Sequence, residues 1–206
     1  MLSVRHIVFD IGRVLIRYDP HRGLMQSIPN ASDRVWFLET VCNEAWTLEQ
    51  DRGRPWKDGE ATLIADWPDQ ADRIRAFRAN WTLMVYDRIA PTVALFEQLI
   101  NDGRDVTLLT NFAADTFVEA RRLFPFLDRS RGVTVSGEVG LIKPDLAIFA
   151  LHQQTFALDP VETLFIDDNS ANVAGARDAG WQALQYLDHD TLVEDLVELG
   201  VVQSLS

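Results

Sequence analysis

Cysteine is almost absent from this sequence: Cys42 is alone among 206 residues. No intrachain disulfide can form, and a zinc site built on thiolates is excluded. Histidine is nearly as scarce, and His6, His21, His152 and His189 are scattered with no metal-ligand spacing. The opening segment MLSVRHIVFDIGRVLI lacks an unbroken apolar run, because Arg5, Asp10 and Arg13 interrupt it. It reads as neither a secretory signal nor a membrane span, and a soluble, cytoplasmic protein is expected. Positive charge is also short. Lys and Arg number 19 against 31 Asp and Glu, a net charge of −12. Such a chain repels a phosphate backbone at long range, so no nucleic-acid partner is expected. The same field opposes a phosphorylated metabolite unless something local reverses it.

What is present is an ordinary globular mixture, 47% apolar and 24% charged. At roughly 150 residues per domain the length suggests one to two domains. Five short apolar, β-branched runs read as strands: Val4–Phe9, Val106–Leu109, Val133–Val135, Thr163–Ile166 and Ala183–Tyr186. Helical segments alternate with them at Pro91–Asn101, Ala113–Leu123, Asp145–Phe156, Ala171–Ala179 and Thr191–Leu199. Strands alternating with helices imply an α/β fold with a parallel sheet covered on both faces. Between Tyr18 and Asp87 no strand run stands out, helical apolar spacing recurs, and five of the six tryptophans fall there. This stretch reads as a helical insertion after the first strand. Its tryptophans fill a small helical core, or else form a hydrophobic lid or a dimer surface.

In an open parallel sheet, ligands bind beyond the carboxyl ends of the strands. Asp10-Ile11-Gly12-Arg13 follows the first strand, Thr110-Asn111 the second, and Gly137 to Asp145, with Lys143, the third. Asp167-Asp168-Asn169 follows the fourth, with Asn172 one turn on. Singly these are weak signals. A Thr-Asn pair after a strand serves as a helix N-cap, a lone Lys before Pro is commonly solvated, and Asp-Asp-Asn is a common turn. Together they suit phosphoryl transfer. Asp10 and Asp168 would repel unless a hard cation lay between them, and few oxygen ligands with room for phosphate describe Mg²⁺. The Gly12 backbone could add a carbonyl ligand, while Thr110 and Lys143 supply a hydroxyl and a fixed positive charge for phosphoryl oxygens. A carboxylate held there can attack phosphorus and form an aspartyl phosphate.

The order Asp10, Thr110, Lys143, Asp167-Asp168, with the wording FDIGRVL, LLTNF, SGEVGLIKPD and FIDDNSANVAGA, resembles the four motifs of the haloacid dehalogenase (HAD) superfamily. The resemblance covers the whole chain. It implies a Rossmann-like three-layer core (1–17 and 88–206) with strand order 3-2-1-4-5, and a helical cap of the four-helix type (18–87). It also implies that Asp10 is the nucleophile and a metal ligand with Gly12 and Asp168. Thr110, Asn111 and Lys143 would bind phosphate, and Asp167, Asn169 and Asn172 would support the metal site from behind. Gly12 departs from the pattern, because most phosphatases of the superfamily carry there a second Asp as general acid and base. A subgroup with Asp-x-Gly-x-Val in this motif includes sugar-phosphate phosphatases. His21 is one candidate for the missing proton donor, and His21, Arg22, Trp46, Asp51 and Arg52 are candidates for substrate contact. The implied activity is Mg²⁺-dependent hydrolysis of a small phosphorylated metabolite, by a monomer or homodimer. Two other readings stay open: a 2-haloacid dehalogenase, which in this superfamily also lacks the second Asp but uses no metal, and a degenerate module that binds phosphate or a partner without turnover.

Overall fold

The structure, a computed structural model, describes residues 4–203. Strand β1 (His6–Phe9) is followed by a turn and by the two-residue strand β2 (Ile16–Arg17). The insertion then runs through α1 (Pro20–Leu24), α2 (Ala31–Trp36) with a π-helical turn at Phe37–Val41, α3 (Glu44–Asp51), α4 (Trp56–Asp66), α5 (Ala71–Ala79) and α6 (Trp81–Met84). The longer helices in this stretch are α2 with its π turn, α3, α4 and α5, flanked by the short α1 and α6. The chain leaves through β3 (Asp87–Arg88), which pairs antiparallel with β2, Ile16 opposite Arg88. Entry and exit of the insertion are thus tied to one another by backbone hydrogen bonds.

The remainder alternates as its apolar runs predict: α7 (Ala90–Asn101), β4 (Asp105–Thr110), α8 (Ala114–Leu123), β5 (Val133–Val135), the single turn α9 (Ser136–Val139), α10 (Leu146–Phe156), β6 (Thr163–Asp167), α11 (Ser170–Asp178), β7 (Gln182–Gln185) and α12 (His189–Glu198). The sheet order is β5-β4-β1-β6-β7, all parallel, with His6 beside both Asp105 and Thr163. Taking the five sheet strands in chain order, this is the expected 3-2-1-4-5. The architecture is a Rossmann-like three-layer α/β core with an inserted helical unit. Among the described residues no helix is long and apolar enough to cross a membrane.

Alternation of side chains across the strands separates two cores. Ile7, Phe9, Val106, Leu108, Leu164 and Ile166 face one side, where Val93, Phe96, Phe117 and Leu192 from α7, α8 and α12 cover them. Val8, Leu109 and Phe165 face the other side, against Ile148, Phe149, Val173 and Trp181. The first core continues without a break into the insertion, through Phe37, Trp56, Ile74, Phe77 and Trp81. Most of the tryptophan surface is therefore packing, as the simpler reading of the sequence holds. Trp36 is the exception, 41% exposed.

Two glycines of the quoted motifs set the spacing of the layers. A Cβ on Gly137 would lie 2.6 Å from the Ala114 nitrogen and 2.7 Å from the Phe112 carbonyl oxygen. One on Gly175, in α11, would lie 2.7 Å from the Pro144 carbonyl oxygen. Backbone meets backbone at both points, so neither position accepts a side chain without movement.

In the second face, the His152 ring is fully buried between two threonines, with Thr107 Oγ1 2.9 Å from Nε2 and Thr134 Oγ1 2.8 Å from Nδ1. Burial drives its pKa down to about 3, with Arg131 and Lys143 adding to the effect. In the unfolded chain the ring titrates near ~6.5. The stability of this neutral histidine is therefore fully present above pH ~6.5 and is lost as pH falls from there towards 3. We expect the wild type to lose about 2 kcal/mol through this group between pH 7 and pH 5. Urea unfolding of His152→Gln at both pH values should show that component gone, against a lower stability at pH 7.

Candidate active site

Three adjacent strands end side by side, and each delivers a motif residue: Asp10 after β1, Thr110 at the end of β4 and Asp167 at the end of β6. Parallel pairing makes this unavoidable, since all three chains run out of the sheet on the same edge. Lys143 arrives from the loop after α9, and its side chain is entirely buried. Its ammonium lies 3.0 Å from Asp10 Oδ1 and donates to Asp167 Oδ2 at 2.6 Å and to the Leu109 carbonyl at 2.9 Å.

Asp167 is saturated by its neighbours. Besides Lys143 it accepts from the Asn169 amide at 2.8 Å and from Asn172 Nδ2 at 3.0 and 3.1 Å. Asn169 also caps α11 by accepting from the Ala171 amide. Asn111 clasps the Lys143 backbone from both sides, its Nδ2 donating to the Lys143 carbonyl and its Oδ1 accepting from the Lys143 amide. The N-cap of α8 is Ala113, which has no side-chain cap bond. The Thr-Asn pair is therefore not a helix cap; Asn111 fixes the lysine loop.

Oxygens of Asp10, Asp167 and Asp168 lie within 4.8 Å of one another. Three carboxylates against one buried ammonium leave excess negative charge. Burial raises the Asp10 pKa, and Asp167 adds to this while Lys143 opposes it. The Asp168 carboxyl is raised by burial and by Asp167, with Arg13 and Lys143 pulling the other way. Burial pulls Lys143 down, but Asp10 and Asp167 outweigh it and hold the ammonium above its ordinary value. Asp10 Oδ1 is buried and makes no directed hydrogen bond, even beside Lys143. Three carboxylates in one all-oxygen, over-negative cluster suit a small hard cation such as Mg²⁺. Asp10 and Asp168 are free to ligate it. The turn's own hydrogen bonds use the Ile11 and Ile16 carbonyls, not that of Gly12.

Above the cluster lies a cavity of about 390 Å³, with Asp10, Gly12, Arg13, Asn111 and Asp168 on its floor. Arg13 has a left-handed backbone, φ 58°, and its guanidinium stands 3.9 Å from Asp168 Oδ2 and 5.7 Å from the Tyr18 ring centre. The walls belong largely to the insertion, with Leu38 and Cys42 from the region of the π turn, Asp51 from the end of α3, and Trp56 and Trp81.

No family model matches the sequence. A sesquiterpene phosphatase, astK, of Aspergillus oryzae is 29% identical over 181 residues, 88% of this chain and 89% of that protein. A protein from Porphyromonas gingivalis described as a predicted HAD-like family hydrolase has a TM-score of 0.75 and 22% identity, covering 98% of this chain and 100% of that one. A HAD family enzyme from Bacteroides thetaiotaomicron, solved with magnesium and inorganic phosphate, has a TM-score of 0.72 and 21% identity over 92% of this chain and 99% of that one. The chain has the haloacid dehalogenase fold.

On this haloacid dehalogenase scaffold the motif residues Asp10, Gly12, Thr110, Asn111, Lys143, Asp167, Asp168, Asn169 and Asn172 gather at one sheet edge. Two expected substrate contacts do not join them. His21 and Arg22 are absent from the cavity lining. Asp19 caps α1 by accepting from the His21 amide, and Arg22 turns outward to stack 4.1 Å from the Tyr86 ring centre. Trp46 is likewise off the lining, packed edge-on against Trp56 at 5.3 Å between centroids. Arg52 is spent on Asp145 at 3.3 Å. Of the candidates in the insertion, only Asp51 reaches the cavity. Ser136, which drew no notice in the sequence, holds that wall in place. It is fully buried, accepts from the Phe112 amide at 2.8 Å and donates to the Asp51 carbonyl. A serine after an apolar strand carries no periodic signal that would have marked it.

The Lys143 bridge dictates a stability test in chelator, without metal. Lys143→Met leaves Asp10 and Asp167 buried and uncompensated, and should cost about 3–5 kcal/mol in urea unfolding. Adding Asp167→Asn should return part of that loss, a coupling that only a direct charge interaction produces.

Proposed function

We propose that this protein is a magnesium-dependent hydrolase of phosphate monoesters, working through an aspartyl phosphate on Asp10. The observation that carries the reading is the meeting of Asp10, Asp167, Asp168 and Lys143 beneath one cavity. The phosphatase activity named for the relative of near-equal length and the magnesium and phosphate in the structural neighbour support it. Asp10, Asp168 and the Gly12 carbonyl would hold the metal. When bound, Mg²⁺ neutralises phosphate oxygens and the carboxylate charge that would otherwise repel them.

This chain's residues do the rest. Asp10 presents Oδ1, beside Lys143, as nucleophile and leaves its other oxygen for the metal; the bond to phosphorus forms as the ester P–O bond breaks. Lys143, fixed by Asp167 and the Asn111 clasp, places a positive charge beside that oxygen and the incoming phosphoryl group. Thr110 adds a hydroxyl donor from the adjacent strand end. Water then attacks the aspartyl phosphate, releasing inorganic phosphate and restoring Asp10.

The departing alkoxide needs a proton, and Gly12 has none to give. Asp51 supplies it. Its carboxyl lines the cavity and is lifted by burial to about 7, with the Ala113 amide opposing. A carboxylic acid so tuned carries its proton near neutral pH and can recover it from the attacking water. A 2-haloacid dehalogenase has no use for a proton donor or for an acidic trio, so halide displacement is the weaker reading.

Asp10→Asn should abolish phosphate release from p-nitrophenyl phosphate, and EDTA should silence the wild type. Halide release from 2-chloropropionate in EDTA would overturn the assignment. In a single turnover, Asp51→Asn should slow alcohol release from an alkyl phosphate by about 10²–10⁴-fold while sparing leaving-group release from p-nitrophenyl phosphate, whose phenolate departs unprotonated. Equal losses for the two esters would remove Asp51 from the proton-donor role.

A further inference from the structure

Resting on the phosphatase reading, we infer that the substrate is the phosphate ester of an apolar alcohol, its hydrocarbon chain filling the cavity above Asp10. The size is suitable, since about 390 Å³ falls in the range that encloses a whole small organic ligand. The wall facing the carboxylate cluster is apolar and aromatic, built from Leu38, Leu48, Trp56, Phe77, Trp81 and Phe112. Trp56, Phe77 and Trp81 are each buried, and Trp81 packs edge-on against Phe112 at 5.8 Å.

Part of the polar lining is already committed, and the Tyr18 hydroxyl with the Glu44 and Asp51 carboxyls makes up much of the rest beside Asp10 and Asp168. Thr47 donates to the Asn43 carbonyl in its own helix, and Thr116 to the Ala113 carbonyl in its own. Asn111 spends both halves of its amide on Lys143, and Arg13 faces Asp168. A sugar would bring several hydroxyls against the apolar surface of Leu38, Leu48, Trp56, Phe77, Trp81 and Phe112, where they find few partners, at a cost of the kind that buried, unpaired polar groups impose. The indole N–H of Trp56 is buried without a partner. It can serve one ether or hydroxyl oxygen along a chain, not a polyol. Arg13 is also the sole cationic side chain on the lining, beside the carboxylate cluster, so a second phosphate or a carboxylate farther up finds no counter-charge. The inference is thus a hydrophobic monoester in place of the sugar phosphate that the motif resemblance suggests.

The test compares primary alkyl esters, whose leaving groups are chemically alike, so that only the organic group varies. Methyl, butyl and octyl phosphate are assayed beside glycerol 3-phosphate and glucose 6-phosphate, each with Mg²⁺. We expect kcat/KM to rise along the alkyl series by about two- to fourfold per methylene, and octyl phosphate to exceed glucose 6-phosphate by at least about tenfold. A flat alkyl series, or a preference for the sugar ester, overturns the inference.

Binding is read separately in Asp10→Asn, where turnover is blocked and the cavity tryptophans Trp56 and Trp81 report occupancy by fluorescence. Octyl phosphate should quench or shift that emission and bind at least tenfold more tightly than methyl phosphate or glucose 6-phosphate. Leu38→Gln should shrink the octyl-to-methyl ratio in both readouts. If the wild type hydrolyses no ester yet the variant binds with this order, the phosphatase reading fails and the apolar site stands. If octyl phosphate binds no better than methyl phosphate, the apolar site fails whatever the turnover.

Discussion

Everything at this site hangs on one buried ammonium. Lys143 stands between Asp10 and Asp167 with no exposure to solvent, and removing it would leave two carboxylates facing each other in a low dielectric. The surrounding sequence is arranged to hold that charge in place. Asn111 clamps the lysine backbone, Asn172 and the Asn169 amide saturate Asp167, and Gly175 lets α11 lie against the Pro144 carbonyl. One carboxylate is thereby used up as scaffold, while Asp10 keeps only its ion-pair contact with Lys143. The local charge excess answers the problem posed by a net −12. Three of the 31 acidic side chains meet there, where, on the proposed reading, a bound cation would turn them into an attraction for phosphate.

The insertion supplies the rest of the chemistry. It leaves and rejoins the core through a short antiparallel ribbon, β2 with β3, that pairs Ile16 with Arg88 and Arg17 with Asp87, so its helices are held over the carboxyl edge of the sheet. Its apolar core is continuous with one face of that sheet, and the same aromatic residues that stabilise the insertion form the cavity wall. The packing of the insertion and the wall of the cavity therefore draw on one set of side chains. Asp51 is the exception, a carboxyl placed at the end of α3 and kept there by Ser136 gripping its backbone carbonyl.

The core was legible because its signals are local. Apolar β-branched runs mark strands within a residue or two, and parallel strands must end on the same edge, so Asp10, Thr110 and Asp167 could be placed together from their positions alone. Asp167 and Asp168 were separable only through the family resemblance, and the hydrogen bonds show why they differ: one is saturated, the other open. The insertion was legible as helical and no further. Which face of a short helix meets a cavity depends on tertiary packing that apolar spacing does not encode. Hence His21, Arg22 and Trp46 are credible from their neighbourhood in sequence yet lie off the cavity lining, while Asp51, no better marked, is on it.

The sheet register has a consequence for how the molecule comes to exist. β1 is the central strand, with β4 and β6 on either side, His6 beside Asp105 and Thr163. During synthesis this apolar strand emerges first, and its neighbours follow only after the whole insertion has left the ribosome. Until then Ile7, Val8 and Phe9 have no sheet to join. Their bare edges are open to other chains, the exposure that makes long-range parallel pairing slow and prone to aggregation. The helical insertion thus stands, in time as well as in sequence, between the heart of the sheet and the strands that will cover it.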